Sequence, residues 1–127
     1  MAVLSLTCED KFIKIWDRST EKELKTLKEH SDSVSCLFPL PINDKGEDQL
    51  QLSSSNDKSC ILWNISKNGR IEKTFIGHSS IVNAVIGIID PEEISIGGRK
   101  MKLFATGSWD RTIKIWLIES RKFYARD

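Results

Sequence analysis

Leu103 to Trp116 reads LFATGSWDRTIKIW, and this stretch is the clearest structural signal in the chain. Two runs rich in strand-forming residues, Leu103–Thr106 and Thr112–Trp116, flank the polar segment Gly107–Arg111. β-Branched and aromatic side chains suit a pleated surface, whereas a short polar segment with Gly and Asp suits a turn. The stretch therefore predicts a β-hairpin that ends in a tryptophan.

The same pattern occurs twice more, as LSLTCEDKFIKIW at Leu4–Trp16 and as QLSSSNDKSCILW at Gln51–Trp63. In all three copies an aspartate in the turn precedes a tryptophan by six residues. The pairs are Asp10 with Trp16, Asp57 with Trp63, and Asp110 with Trp116. The second pair lies 47 residues after the first, and the third lies 53 residues after the second. A repeat of this length determines the architecture before any single strand is assigned.

The composition is that of one ordinary globular domain: 127 residues, 39% of them hydrophobic and 29% charged. Nineteen basic and eighteen acidic residues are intermixed and leave a net charge of +1, so nucleic acid is not expected as a partner. The segment Met1–Leu6 lacks the features of a signal peptide. The apolar run Ile81–Ile89 is far shorter than the roughly 20 residues that span a bilayer. We therefore expect no membrane insertion and a cytoplasmic or nuclear protein that is not secreted.

Cysteines and histidines do not form a metal-binding pattern. Cys8, Cys36 and Cys60 lie tens of residues apart without a CxxC pair, and they are expected to be small buried core residues. His30 and His78 have no clustered third ligand, and the chain lacks a glycine-rich phosphate-binding loop. Neither a metal nor a cofactor is expected.

Further strands are predicted between the hairpins. Ser33–Phe38 and Ile81–Ile86 have the content of strands buried on both faces. Each precedes an insertion, residues 39–48 and 87–100, and the prolines of the first insertion are expected to end the strand before it because proline lacks an N–H donor. A last strand is predicted at Arg121–Ala125.

Three units follow from this order: a partial unit at residues 1–28, a complete repeat at 29–76, and a repeat with a C-terminal tail at 77–127. Each complete unit contains four antiparallel strands. A sheet with two apolar faces cannot bury both alone, so the units should stack face to face.

The repeated set resembles the WD40-repeat family, over essentially the whole chain. The matching elements are Gly77-His78, Asp110, Thr112–Trp116 and the dipeptide Trp16-Asp17. The chain departs from the family pattern at Glu29 before His30, at Asn64 after Trp63 and at Leu117 after Trp116. The resemblance implies an all-β fold, a partial WD40 β-propeller of about two to three blades of four-stranded antiparallel sheet.

The resemblance also implies a buried hydrogen-bonded network in each blade, which links a histidine, a hydroxyl, the turn aspartate and the tryptophan indole. Carried over, this gives His30, Ser53, Asp57 and Trp63 in one unit and His78, Thr106, Asp110 and Trp116 in the next. In the first unit the matching hydroxyl position is Leu6, so no network is expected there. Such a network gives each buried polar group a hydrogen-bond partner, which it needs because an unpaired buried polar group costs free energy.

The network residues could in principle serve either an enzyme or a non-catalytic scaffold. A hydroxyl, a histidine and an aspartate could serve a hydrolase, but the set recurs at the repeat period and no nucleophile elbow accompanies it. We therefore expect no enzyme but a non-catalytic scaffold that binds protein or peptide partners. The alternatives are a structural or non-functional fragment of a larger propeller and, less favoured, a Ser/Thr-His-Asp hydrolase.

Partner contacts are expected where the hairpin turns face outward. The residues before the turn aspartates are Glu9, Asn56 and Trp109. Arg111 directly follows the last turn aspartate, Asp110. Trp109 is the unusual one, because large aromatic residues are enriched at interaction hot spots. It could instead pack against neighbouring loops. The two insertions should project from the opposite face and are further contact candidates.

The chain is short for a closed ring. Propellers contain about four to eight blades, whereas 127 residues supply fewer than three repeats of this length. We hypothesise a fragment whose missing blades lie in the rest of a longer chain. The alternative is a head-to-tail ring in which other copies supply them.

Overall fold

The computed structural model describes residues 4–40, 48–88 and 94–119. Eleven strands and one single-turn 3₁₀ helix, Ile65–Lys67, make up the regular structure of these residues. The strands are β1 (Leu4–Glu9), β2 (Phe12–Asp17), β3 (Lys22–Leu27), β4 (Val34–Leu40), β5 (Leu50–Ser55), β6 (Ser59–Asn64), β7 (Arg70–Ile76), β8 (Val82–Ile88), β9 (Ile94–Ile96), β10 (Arg99–Ser108) and β11 (Ile113–Glu119).

These strands form three antiparallel sheets, which we number along the chain. Sheet 1 has the order β1-β2-β3, sheet 2 the order β4-β5-β6-β7, and sheet 3 the order β8-β10-β11, with β9 paired to the start of β10. The three hairpins predicted from the repeated pattern are β1–β2, β5–β6 and β10–β11. The all-β fold predicted as a partial propeller is confirmed.

The connection from β6 to β7 shows how the local sequence reverses the chain. The side chain of Asn64 accepts a hydrogen bond from the Lys67 amide and so caps the 3₁₀ helix. Asn68 and Gly69 then adopt positive φ angles of 61° and 73°, which these residue types tolerate best. The Asn-Gly signal therefore produces the predicted reversal into β7.

Two apolar layers hold the sheets together. Between sheets 1 and 2 the buried residues are Ile13, Ile15, Leu27, Val34, Ile61, Trp63 and Ile65. Between sheets 2 and 3 they are Leu40, Leu50, Leu52, Cys60, Leu62, Phe75, Val85, Phe104 and Ile118. The rings of Phe75 and Phe104 meet edge to face, with 4.8 Å between their centroids. Burial of each large aliphatic or aromatic side chain contributes about 1.5–3 kcal/mol.

Sheets 2 and 3 approach most closely at Gly87. A Cβ atom at this position would lie 2.8 Å from Cε1 of Phe38 and 3.0 Å from Cδ2 of Leu40. Carbon atoms do not pack this closely, so the phenyl ring uses the space that a side chain would fill. The absence of a side chain at Gly87 therefore sets the distance between the two sheets.

The prolines do not end β4 where we predicted. This strand continues through Pro39, which lies opposite Gln51, to Leu40. β4 is an edge strand of sheet 2, and an edge strand tolerates proline because one of its sides has no ladder partner. Residues 41–47 of the first insertion lie outside the described residues.

The second insertion is partly regular structure rather than a loop. Its first two residues extend β8 to Ile88, and β9 pairs with the start of β10 around the Gly97-Gly98 turn. Both glycines have positive φ, which suits a tight reversal. Residues 89–93 and the strand predicted at Arg121–Ala125 lie outside the described residues.

Two burial predictions were wrong in part. Within Ile81–Ile86, Val82 and Val85 are buried but Ile86 is 54% exposed, because sheet 2 covers one face of sheet 3. Of the cysteines, Cys60 is buried, whereas Cys36 is partly buried and Cys8 is exposed near the turn of an edge strand.

Replacement of Gly87 by alanine should destabilise the chain by about 1–3 kcal/mol, because the added methyl group overlaps the Phe38 ring. Gly107→Ala is the matched control, since its Cβ would meet only the Asn83 side chain, at 3.9 Å. Urea unfolding followed by tryptophan fluorescence measures both. Equal stability of the two variants would contradict the proposed role of this contact.

Candidate functional site

The four polar residues assigned to the second unit lie together and form what we call the sheet-2 network. Nδ1 of His30 is 2.8 Å from Oδ2 of Asp57, and Nε2 of His30 is 2.7 Å from Oγ of Ser53. The indole Nε1 of Trp63 donates to the same Oγ at 2.8 Å. His30 comes from the link before β4, Ser53 from β5 and Trp63 from β6, so the network joins three parts of one repeat.

The chemistry of the donors assigns the protons when the imidazole is neutral. Trp63 can only donate, so Ser53 accepts from it, and the carboxylate of Asp57 can only accept. The hydroxyl proton of Ser53 then goes to Nε2 of His30, and Nδ1–H of His30 donates to Asp57. Every polar group of the network has a partner in this arrangement.

Asp57 connects the network to the backbone. Its Oδ2 also accepts the amide of Ser31 in the link, at 3.1 Å. Its Oδ1 accepts both the amide and the hydroxyl of Ser59, at 2.9 and 2.6 Å. One carboxylate therefore holds the link and the hairpin turn at the same end of the sheet.

The third unit repeats this geometry, and we call its residues the sheet-3 network. His78 lies 2.8 Å from Oδ2 of Asp110 and 2.7 Å from Oγ1 of Thr106, which accepts the Trp116 indole at 2.8 Å. Asp110 also accepts from the Ser79 amide at 3.1 Å. Two sheets with different side chains around them thus hold the same set of contacts.

A hydroxyl two residues after Asp57 and another two residues after Asp110 belong to the networks and were not anticipated from the sequence. Ser59 binds Asp57 in one turn, and the hydroxyl of Thr112 donates to Asp110 at 2.5 Å in the other. The signal was present as Asp-Lys-Ser and Asp-Arg-Thr. A hydroxyl at this spacing after an aspartate marks a side-chain-bonded turn.

Sheet 1 differs from our expectation in its register. Leu6 pairs with Ile15, whereas Thr7 pairs with Lys14, just as Ser53 and Thr106 pair with the corresponding residues of their hairpins. The matching hydroxyl position is therefore Thr7 rather than Leu6. Counting back from the turn aspartate shifts the alignment by one residue, because the turn of this hairpin is shorter.

The network contacts lower the pKa of both turn aspartates. Burial alone would raise the pKa of Asp57, but hydrogen bonds from Ser59 and His30 outweigh it. The pKa of Asp110 is lowered chiefly by the Thr112 hydroxyl, with burial opposing and His78 adding to the decrease. Both carboxylates are therefore ionised near neutral pH and favour the folded state.

The two network hydroxyls that bond the tryptophans are buried. Ser53 is 0% exposed and Thr106 is 1% exposed. A nucleophile must reach a substrate, and each of these oxygens instead accepts an indole N–H inside the sheet stack. The described residues also hold no group of three or more His, Cys, Asp or Glu side chains that could bind a metal ion.

The four residues proposed as partner contacts differ in exposure. Trp109 is 66% exposed, so its ring is largely open to solvent, while its backbone amide donates to Ile81 O at 3.0 Å. Arg111 is exposed at a φ of 71°. Asn56 is partly buried. Glu9 is exposed and forms an ion pair with Lys14 at 3.4 Å.

Comparison with known proteins gives matches over most of the chain. A family model described as "WD domain, G-beta repeat" matches residues 21–64 and 69–116. Nuclear distribution protein PAC1 of Coccidioides posadasii is 33% identical over 125 residues, which cover 90% of this chain and 25% of that protein.

Other relatives match with similar identity. Protein tipD of Dictyostelium discoideum is 34% identical over 107 residues, 84% of this chain and 15% of that protein. Small ribosomal subunit protein RACK1 of Schizosaccharomyces pombe is 32% identical over 98 residues, 74% of this chain and 27% of that protein. The chain thus spans about a quarter or less of these relatives. None of the residues that the structure describes forms a helix long and apolar enough to span a bilayer.

Ser53→Ala should destabilise the chain by about 2–4 kcal/mol, because it leaves the indole N–H of Trp63 and Nε2 of His30 without a buried partner. Ser54→Ala is the control: Ser54 is also 0% exposed, but its hydroxyl bonds Ser35 on the other face of the sheet, and its loss should cost about 1 kcal/mol. Chemical unfolding of both variants checks this. Similar losses would refute a special role for the network.

Acid should destabilise the chain through the turn aspartates. Their folded-state pKa values lie below the unfolded value of about 3.9, so their contribution is complete above that pH and decreases as the pH falls through the folded-state values. Asp110→Asn should lower stability at neutral pH and weaken the pH dependence below about 4. Urea unfolding at several pH values measures both effects. An unchanged acid profile in the variant would contradict this assignment.

Proposed function

The chain belongs to the WD40-repeat family, and from that premise we propose that it is a non-catalytic scaffold that binds protein or peptide partners. The observation that carries this proposal is Trp109, a large aromatic side chain held on a fixed backbone and 66% exposed. An exposed tryptophan costs solvation free energy unless a partner covers it, and tryptophan is among the residues most enriched at binding hot spots.

The backbone around Trp109 supports a rigid binding surface. The turns and the links lie at one end of the sheets and bond each other: Trp109 N donates to Ile81 O at 3.0 Å, and Asn56 N donates to Ser33 O at 2.9 Å. We call this end, with Trp109, Arg111, Asn56 and Glu9, the turn surface. A surface fixed in this way loses little conformational entropy when it binds.

The side chains of the turn surface favour a particular partner chemistry. Arg111 follows Asp110 and places a cation two residues from the indole of Trp109. An arginine two positions from an exposed tryptophan suits a partner segment with an acidic side chain beside an apolar one. We therefore propose a peptide segment of that mixed character as the occupant of the turn surface.

The hydrolase alternative has less support, because its candidate nucleophiles are buried. A serine-directed covalent probe tests it directly: labelling of Ser53 or Thr106 in the folded chain would favour an enzyme. Absence of labelling together with partner binding would favour the scaffold.

The proposed scaffold needs further sheets, from the rest of a longer chain or from other copies, to cover its outer sheet faces. The names printed for the relatives, nuclear distribution protein and small ribosomal subunit protein, describe those proteins. For this chain we propose the cytosol or the nucleus as the location.

Trp109→Ala should abolish recovery of the partner, because removal of a hot-spot aromatic weakens binding by about 2 kcal/mol or more. The immobilised wild-type chain and the variant are exposed to the same cell lysate, and the bound proteins are quantified by mass spectrometry. A partner identified in this way is then purified, and its dissociation constant for each variant is measured. We expect an increase of at least about 30-fold for Trp109→Ala.

Leu24→Ala is the matched control for this experiment. Leu24 is a large apolar residue with 55% exposure on the outer strand of sheet 1, away from the turn surface. It should leave binding unchanged. Equal binding by Trp109→Ala and the wild-type chain would reject the turn surface as the site, and recovery of no protein by the wild-type chain would favour the non-functional fragment.

A further inference from the structure

The turn between β6 and β7 contains Asn68-Gly69, the one asparagine of this sequence that precedes a glycine. The other asparagines, each followed by a residue with a side chain, are Asn43, Asn56, Asn64 and Asn83. The backbone nitrogen of the next residue can attack an asparagine side chain, and a glycine there has no Cβ to hinder the approach. Asn68 is also exposed to water. The turn therefore has the sequence and the exposure of a spontaneous modification site.

The modification is the conversion of the Asn68 amide to an acid. The nitrogen of Gly69 forms a bond to Cγ of Asn68, the bond from Cγ to Nδ2 breaks, and ammonia leaves with the proton that the Gly69 nitrogen loses. Water then opens the resulting cyclic imide at either of its carbonyl groups. The product is aspartate or isoaspartate, and water is the only other reactant.

The backbone conformation of the folded turn opposes this reaction. Asn68 has a φ of 61° and a ψ of 34°. At this ψ, the nitrogen of Gly69 and the Cβ atom of Asn68 point to opposite sides of the Cα–C bond, so the nitrogen cannot reach Cγ. Because the peptide bond is planar, its carbonyl and its N–H must rotate together before the ring can close. The rate therefore depends on how easily this peptide unit rotates.

Two hydrogen bonds hold the peptide unit in place. Its carbonyl oxygen, Asn68 O, accepts from Nζ of Lys25, which lies on β3 of sheet 1. Its N–H, on Gly69, donates to Asn64 O at 3.0 Å. Rotation of the unit breaks both bonds at once. The first of them joins two sheets, so it exists only while sheet 1 is docked on the turn of sheet 2.

Sheet 1 also packs directly against the turn. Gly69 is buried, and a Cβ atom there would lie 2.7 Å from Cδ2 of Leu27 and 3.8 Å from Cδ1 of Ile15. Packing this close resists rotation of the peptide unit, because neighbouring side chains would have to move with it. Sheet 1 must therefore withdraw from the turn before the Gly69 nitrogen can attack.

We infer that Asn68 is a site of spontaneous deamidation and that the docking of sheet 1 on the β6–β7 turn controls its rate. The reacting state is a local opening in which Lys25 releases Asn68 O while the rest of the chain stays folded. This turn and the turn surface lie at opposite ends of β6, so the modification does not depend on the proposed scaffold function.

The two products should affect the turn differently. Aspartate tolerates the left-handed conformation that Asn68 adopts, so the turn can close again. Isoaspartate adds a methylene group to the main chain, so the Gly69 N–H no longer meets Asn64 O and Gly69 no longer fits against Leu27. Formation of isoaspartate should therefore loosen the contact between sheets 1 and 2.

Peptide mass spectrometry of the 127-residue chain, incubated near neutral pH, measures conversion at Asn68. Chromatography separates the aspartate and isoaspartate peptides, and the chain unfolded in urea gives the reference rate. Conversion should be at least about tenfold slower in the folded chain, because the turn must open first. Equal rates in the two states, or no conversion at Asn68 in the unfolded chain, would overturn the inference.

Lys25→Met tests the contact between the sheets, because it removes the hydrogen bond to Asn68 O and keeps a long unbranched side chain. Conversion in the folded chain should become at least about threefold faster, since loss of a hydrogen bond makes the opening easier. Lys22→Met is the matched control: Lys22 is exposed on the same strand and should leave the rate unchanged. Equal rates in these two variants would refute control by sheet 1.

Gly87→Ala separates local opening from global unfolding. It destabilises the contact between sheets 2 and 3, away from the β6–β7 turn. Conversion through a local opening should keep the wild-type rate in this variant, whereas conversion through global unfolding should accelerate as stability falls. An acceleration as large as that in Lys25→Met would reject the local opening. Far-ultraviolet circular dichroism verifies that every variant remains folded.

Discussion

The contact between a turn aspartate and a link histidine is the constraint on which the repeats depend. Asp57 bonds His30 at 2.8 Å, and Asp110 bonds His78 at the same distance. Through these contacts, a hairpin between the second and third strands of a sheet is joined to the segment that enters its first strand. Because the histidines also bond a buried hydroxyl, a distortion of the turn would leave several polar groups without partners.

Apolar stacking depends on these networks, because they satisfy polar groups that would otherwise oppose burial. Ser53 is 0% exposed although it lies between aliphatic layers, and Trp63 buries its ring against sheet 1 while its N–H is bonded. The sheets can therefore stack with polar residues inside. The same stacking leaves one face of each terminal sheet without a neighbour among the described residues, and these two faces differ: one carries ion pairs and the other is aliphatic.

Most of the fold followed from local patterns, whereas the members of the networks followed from the resemblance to the WD40-repeat family. The hairpins could be predicted because an aspartate in the turn and a tryptophan six residues later recur three times. Prediction failed where the neighbours of a strand mattered. Pro39 remains in β4 because that strand is at an edge, and Ile86 is exposed because only one face of sheet 3 is covered. Leu6 was misassigned because pairing register depends on turn length, which the alignment of aspartates ignores.

The sequence by itself determined the repeat and its strands, since strand periodicity and turn chemistry act over a few residues. Its resemblance to the WD40-repeat family implied the network residues. Only the tertiary structure decided which faces are buried and how closely Gly87 lets the sheets approach. The physical reason is that burial and shape depend on residues far apart in the chain. Their mutual distances are set by stacking, and no local pattern encodes them.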